Sequence, residues 1–337
     1  MRSDHADLAK KIEQGDRRAL ARAITLVEST RPDHRAQADD LMERLAAPCG
    51  SLRIGLSGPP GAGKSSFIES TGLSLIEKGH RVAVLAIDPS SVSGGGSILG
   101  DKTRMERLCL HACAFIRPTP ANAGFGGVAR RTPEVIRVVE AAGFDIVIVE
   151  TVGVGQSEVA VASMSDLFVL LLSPGAGDEL QGIKRGIVEL ADMIFVNKDD
   201  GDLAADAART AADYRKALSL FTAKADDWQV QVHRCSALTG QGIDDAVDCI
   251  LRYRRWYETS GRRDRRRLEQ AKAWLWREIT EQLRERVERV GARRGLDAIV
   301  ESLEEEIALD RISAAAAAKR VIERFFESTM TKEDEQR

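Results

Sequence analysis

The chain has 337 residues, of which 43% are hydrophobic and 30% charged, with a formal net charge of −3. That profile suits a globular protein large enough to bury a substantial core. The near-neutral balance excludes a globally basic surface, so no nucleic-acid partner is expected.

The five cysteines, Cys49, Cys109, Cys113, Cys235 and Cys249, are odd in number and scattered. They argue against a disulfide framework and for a reducing compartment. Met1 to Glu13 is charged and lacks the apolar run of a signal peptide. No stretch approaches the roughly 20 apolar residues of a membrane span. A cytoplasmic protein, or one in an organelle matrix, with no membrane partner is expected.

In chain order, residues 1–50 carry Leu8, Ile12, Leu20, Ala23, Ile24 and Val27 at steps of three and four. This spacing predicts short amphipathic helices, the second capped by Asp16. Residues 51–258 alternate β-rich runs with helical patterns. The predicted strands are 52–57, 82–88, 113–117, 146–151, 167–173, 193–197 and 230–235. Several are apolar throughout, as strands buried on both faces are. The expected fold is therefore α/β, a doubly wound, mainly parallel sheet.

From residue 259 the character changes. Gly261 to Arg267 is a charged junction, followed by Leu268, Ala271, Leu275, Ile279, Leu283, Val287 and Val290 at helical spacing. Ala314 to Ala318 opens a further helix with Val321, Ile322, Phe325 and Phe326 on one side. Such helices bury little alone, so they must pack on the main domain or on a second subunit. The reading favours a homodimer. The expected division is a helical extension (1–50), an α/β domain (51–258) and a helical dimerisation arm (259–330).

Gly58-Pro59-Pro60-Gly61-Ala62-Gly63-Lys64-Ser65 matches the phosphate-binding P-loop pattern, with Ser66 next. It follows a predicted strand and precedes a predicted helix, the context the motif requires. Glycines let successive N–H groups turn toward phosphates at a helix N-terminus. Lys64 would reach the β- and γ-phosphates, and Ser65 would ligate Mg²⁺. The bland alternative is a Gly/Pro-rich turn.

Asn197-Lys198-Asp199-Asp200 fits the guanine-reading pattern Asn-Lys-x-Asp at a strand end. A carboxylate at Asp200 would accept from N1–H and the 2-amino group of guanine, which adenine lacks. Asn197 would meet the O6 and N7 side, and the Lys198 stem would cover the ring. Ser236-Ala237-Leu238, after the next strand, would offer an N–H to O6. GTP and GDP are therefore the expected nucleotides.

Glu150-Thr151-Val152-Gly153 closes an apolar strand and is similar to an Asp-x-x-Gly switch motif. Glu150 would ligate Mg²⁺ directly or through water, and Gly153 would put its N–H on the γ-phosphate. Val154 stands where Ras-like proteins carry a water-orienting glutamine, and Gln156 comes two residues later, so slow or partner-dependent hydrolysis is expected. Asp88 ends the second strand, and Asp101 lies in a Gly-rich stretch that reads as a switch segment. The Asp101 carboxylate could reach Mg²⁺ once nucleotide orders that stretch. Lys64, Asp101, Glu150, Gly153 and Gln156 are the candidate catalytic residues. Gly175 to Lys184 reads as a functional loop at a strand's carboxyl end. Cys109, His111 and Cys113 form either structural cysteines or a metal or redox site.

Together GPPGAGKSS (58–66), AIDPSS (86–91), GGSILGDKTRM (95–105), RPTP (117–120), ETVGVGQSE (150–158), PGAGDELQGIKRGI (174–187), NKDD (197–200) and SAL (236–238) closely resemble the methylmalonyl-CoA mutase-associated GTPases, the MeaB/ArgK group. The resemblance implies a homodimeric GTPase that acts as chaperone of an adenosylcobalamin-dependent mutase. It implies coupling of GTP hydrolysis to cofactor loading and to protection of the mutase. It assigns Mg²⁺ to Ser65, Asp88, Asp101 and Glu150, and a third switch facing the mutase to Asp178, Glu179, Gln181 and Lys184. It makes the C-terminal helices the dimerisation element. One departure is Asp199, where Ala is common. The alternative is a metallochaperone GTPase, resting on Cys109, His111 and Cys113.

Overall fold

The computed structural model describes residues 2–46, 50–88, 105–120, 130–151, 157–175, 185–220, 228–293 and 296–330. Seven strands form one parallel sheet: β1 (Leu52–Ser57), β2 (Val82–Asp88), β3 (Ala114–Pro120), β4 (Ile146–Thr151), β5 (Leu167–Leu172), β6 (Met193–Val196) and β7 (Gln231–Arg234). Their spatial order is β3-β2-β4-β1-β5-β6-β7. All seven predicted strands are present, with ends shifted by up to three residues. β3 runs on through Pro118 and Pro120, which an edge strand tolerates because it need not donate on both sides. β1 lies between β4 and β5, so the loops leaving these three strands open at one carboxyl edge.

Both faces of the sheet are covered, which is why β4, β5 and β6 are buried at every position. One face packs Ile54, Leu56, Ile148 and Val169 against the helices Lys64–Glu77 and Ile243–Thr259. The other packs Val147, Val149 and Leu170 against Thr132–Ala141 and Ser157–Met164. The N-terminal helices Arg2–Glu13 and Arg17–Glu28 share that second core through Ile12, Leu20 and Ile24. Asp16 caps the second helix as expected, accepting from Arg18 and Ala19 N–H at 2.8 and 3.0 Å. A third helix, Pro32–Arg44, is held by Arg35 donating to Glu134 at 2.7 Å.

The amino edge of the sheet is built on a repeated device. Asp145, Asp166 and Asp192 each stand one residue before a strand. Each carboxylate accepts a main-chain N–H, from Arg81, Arg53 and Phe168 respectively, at 2.8–2.9 Å. Each of these aspartates returns its own N–H to the carbonyl of that same residue. Burial opposes ionisation of Asp145, but hydrogen bonds from His80, the Arg81 N–H and Arg254 outweigh it and lower its pKa. Arg53 grips the buried Glu140 with two bonds of 2.7 Å, the bidentate geometry in which guanidinium and carboxylate pair best.

The chain divides into two compact units, Met1–Arg266 and Arg267–Arg337. Gly261, at φ +67°, separates the helix Ile243–Thr259 from Arg262–Arg293. The charged run read as a junction therefore lies mostly inside the first turns of a helix. In the second unit, Leu296–Ala308 and Ala314–Met330 bury Leu303, Ala317 and Phe325. Ile322 and Phe326, grouped with Phe325 by spacing, are instead exposed. So are Leu268, Leu275 and Leu283 along Arg262–Arg293.

Candidate nucleotide site

The phosphate loop leaves β1 at Gly58 and enters its helix at Lys64. A β-carbon on Gly58 would lie 2.1 Å from the Leu171 carbonyl oxygen on β5, so only glycine fits there. Gly63 has φ +86°, and a β-carbon there would meet the Asn197 amide nitrogen at 2.6 Å. Gly63 is the residue before the helix, so it aims the free N–H groups of the first turn into the loop. Lys64 is buried, and its ammonium donates to the Gly58 and Pro59 carbonyls at 2.8 and 3.1 Å. Burial lowers the Lys64 pKa, and the charges of Glu150 and Glu158 oppose that shift. Ser65 is half-buried and Ser66 exposed; Ala62 is enclosed, while Pro60 and Gly61 face outward.

Glu150, buried on β4, is in register with Leu56 of β1 and Ala86 of β2. The adjacent Thr151 hydroxyl donates to the Ser57 hydroxyl at 3.1 Å, fixing the β1–β4 edge beneath the loop. Asp88 ends β2. Asp101, Gly153, Gln156, Asp178, Glu179, Gln181 and Lys184 lie outside the described residues. Glu158, fully buried at the start of the helix Ser157–Met164, is a charged neighbour of Lys64 that the sequence reading did not single out.

The base-reading segments sit side by side at the ends of β6 and β7. Lys198 takes φ +60°, a turn that costs a non-glycine residue about 1 kcal/mol or more. The Ser236 hydroxyl donates to the Asp200 carboxylate. Asn197 is buried and uses both ends of its amide: Nδ2 donates to the Ala62 carbonyl at 2.9 Å, and Oδ1 accepts the Ala237 N–H at 2.9 Å. It thus ties the phosphate loop to the base loop, a link that one-dimensional spacing does not reveal. Ser70, on the helix after the phosphate loop, donates to the Ala237 carbonyl at 2.8 Å. Leu238 is exposed.

Cys109, Cys113, Cys235 and Cys249 are free thiols. His111 accepts the Cys113 N–H at 3.1 Å. Among the described residues, no group of three His, Cys, Asp or Glu side chains could hold a metal ion.

A family model described as "Methylmalonyl Co-A mutase-associated GTPase MeaB" matches residues 20–292. The chain belongs to the MeaB family. A putative GTPase of Caulobacter vibrioides is 51% identical over 323 residues, 96% of this chain and 98% of that protein. The GTPase ArgK of Escherichia coli is 47% identical over 279 residues, covering 82% of this chain and 84% of that one. A mouse protein named methylmalonic aciduria type A homolog, mitochondrial, is 49% identical over 284 residues, 81% of this chain and 68% of its own. Among solved structures, one described as a LAO/AO transport system kinase superposes with a TM-score of 0.76 at 36% identity, covering 96% of this chain and 98% of that one. This MeaB-family chain is a GTPase with a P-loop fold and binds GTP and GDP, and its family is mutase-associated. No helix among the described residues is long and apolar enough to cross a membrane.

Proposed function

We propose that this GTPase is a chaperone of an adenosylcobalamin-dependent methylmalonyl-CoA mutase, coupling GTP binding and hydrolysis to cofactor loading and protection of the mutase. The family match across residues 20–292 carries the reading. Guanine is selected by Asp200, held by Ser236, with Asn197 and Ala237 setting the depth of the base slot. The phosphates lie on the turn Gly58–Gly63, whose glycine-only geometry keeps the cradle clear of side chains. Lys64, buried near the Glu150 and Glu158 charges, exchanges its carbonyl partners for phosphate oxygens.

Mg²⁺ would be held by Ser65, Asp88, Asp101 and Glu150; a hydroxyl and carboxylates are the hard oxygen donors it takes. When bound, it neutralises charge developing on the β- and γ-phosphates. Gly153 and Gln156 belong to the hydrolytic switch. Asp178, Glu179, Gln181 and Lys184 report the nucleotide state to the mutase. The chain works as a homodimer in the cytoplasm. The exposed row Leu268, Leu275 and Leu283 supports the dimer, since a second copy would cover it.

Pull-down with methylmalonyl-CoA mutase tests the proposal. A complex whose strength differs between GDP and a nonhydrolysable GTP analogue is expected. Equal or absent capture in both states would sink it.

A further inference from the structure

The guanine-reading pattern leaves its third position, Asp199, without a role toward the base. In this structure that residue is not idle. It is 7% exposed, and its carboxylate takes an ion-pairing hydrogen bond from Arg234 Nη1 at 3.2 Å. Its main-chain N–H donates to the Cys235 carbonyl at 3.0 Å, and the Cys235 N–H donates to the Val196 carbonyl at 2.9 Å. The lacing continues with Ser236 on Asp200 and the Ala237 N–H on Asn197. Arg234 and Ser236, two apart on an extended segment, therefore reach the consecutive residues Asp199 and Asp200. Burial, with the nearby Asp199 charge second, pushes the Cys235 thiol up to about 12, so this thiol stays neutral between the two loops.

We infer that Asp199 and Arg234 form a positioning pair that holds the Asp200 carboxylate in its base-reading pose, making guanine selectivity depend on an ion pair that does not touch the nucleotide. The argument rests on the guanine reading above. Lys198 sits in a left-handed turn just before the pair, so the loop needs an external tie to hold its pose. Main-chain bonds fix the height of Asp199. Its side chain adds a charged lateral tie to Arg234 at the end of β7, beside the Ser236–Asp200 and Ala237–Asn197 bonds. Without that tie Asp200 keeps the Ser236 hydroxyl as its one side-chain restraint, and its two bonds to guanine N1–H and the 2-amino group lose alignment. Adenine makes neither bond and is insensitive to the change.

The test compares GDP and ADP binding by isothermal titration calorimetry for the wild type, Asp199→Ala, Arg234→Ala, the double variant and Arg234→Lys. Each single alanine variant is expected to weaken GDP binding about three- to tenfold, the range of one partly exposed charged hydrogen bond. ADP affinity and kcat at saturating GTP should stay at wild-type values. The double variant should be no worse than either single one, and Arg234→Lys should keep most of the affinity. Rising salt should weaken wild-type GDP binding more than that of the alanine variants, because it screens the pair. Unchanged GDP binding, an equal loss of GDP and ADP, or additive losses in the double variant would overturn the inference. Arg234 is 41% exposed, so Arg234→Ala removes a surface side chain and decides the matter even where Asp199→Ala fails to fold. A wild type that bound GDP and ADP equally would overturn the guanine reading and this inference together. Selectivity retained in the variants would overturn this inference alone.

Discussion

At the amino edge of the sheet, Asp145, Asp166 and Asp192 each close a two-bond exchange with a neighbouring strand. Arg53 and Glu140 add a bidentate pair. At the carboxyl edge, among the described residues, β1 leads into Gly61 and Gly63 and β5 into Gly175, all with positive φ, and β6 into the left-handed Lys198. Charges at the first edge are consumed by the fold. Those at the second are only partly consumed: Lys64 holds carbonyls that phosphate can replace, and Asp200 holds one hydroxyl. A parallel sheet thus separates its duties along the strand direction, rigid where chains enter and receptive where they leave.

Substitutions at the two edges should therefore fail differently. The largest effect is expected from Lys64→Ala, which should cut GTP turnover by about a hundredfold or more, the scale of one preorganised donor in a dry site. Phosphate release measures it, and wild-type turnover would refute the assignment of Lys64. Arg53→Ala, at the other edge, should leave Glu140 buried without its guanidinium and cost about 3–5 kcal/mol of stability. Urea unfolding reads that loss, while the GDP-over-ADP preference should remain. A shift in preference would show that the edges are not separate.

Asp200→Asn should lower the GDP-over-ADP affinity ratio by about ten- to a hundredfold through one lost charged hydrogen bond, with unfolding unchanged. Equal ratios in variant and wild type would end the base assignment. The smallest effect belongs to neither edge. Asp40 on the third helix is held down to about 2 by hydrogen bonds from Arg44 and His5. Its ordinary value is 3.8, so the ionised form stabilises the fold above pH 3.8 and that contribution disappears as pH falls through 2. The melting-temperature gap between wild type and Asp40→Asn should be full at neutral pH and close over that window. A gap that widens in acid would reverse the sign of this argument.

Much of the frame was legible because burial on both faces leaves an unmistakable composition: Ile146–Val149 and Leu167–Leu172 have no polar alternation to confuse them. The phosphate loop was legible because its glycines obey local geometry, as Gly58 against Leu171 shows. The third N-terminal helix lies inside the helical extension expected over 1–50, but its own bounds are not legible because Ala38 and Leu41 alone make a thin apolar stripe. Phe326 stays exposed beside the buried Phe325 because residues adjacent in sequence sit about 100° apart on a helix, so one edge of a broad apolar face is left uncovered. The pairings Arg53–Glu140 and Asp199–Arg234 were invisible for a different reason. They join residues 87 and 35 positions apart, and nothing local in a charged side chain announces its partner. The Asp that precedes β4, β5 and β6 was readable in principle, as an acidic residue before each apolar run.

Asn197 carries one last consequence. A single planar amide spans the Ala62 carbonyl and the Ala237 N–H, so the two halves of a nucleotide meet one rigid strut. Guanosine and pyrophosphate, offered as separate fragments, should each find a partner loop held in place by the other. Their binding energies then combine in GDP with little left to reorganise, as in a chelate whose arms are already set at the right span.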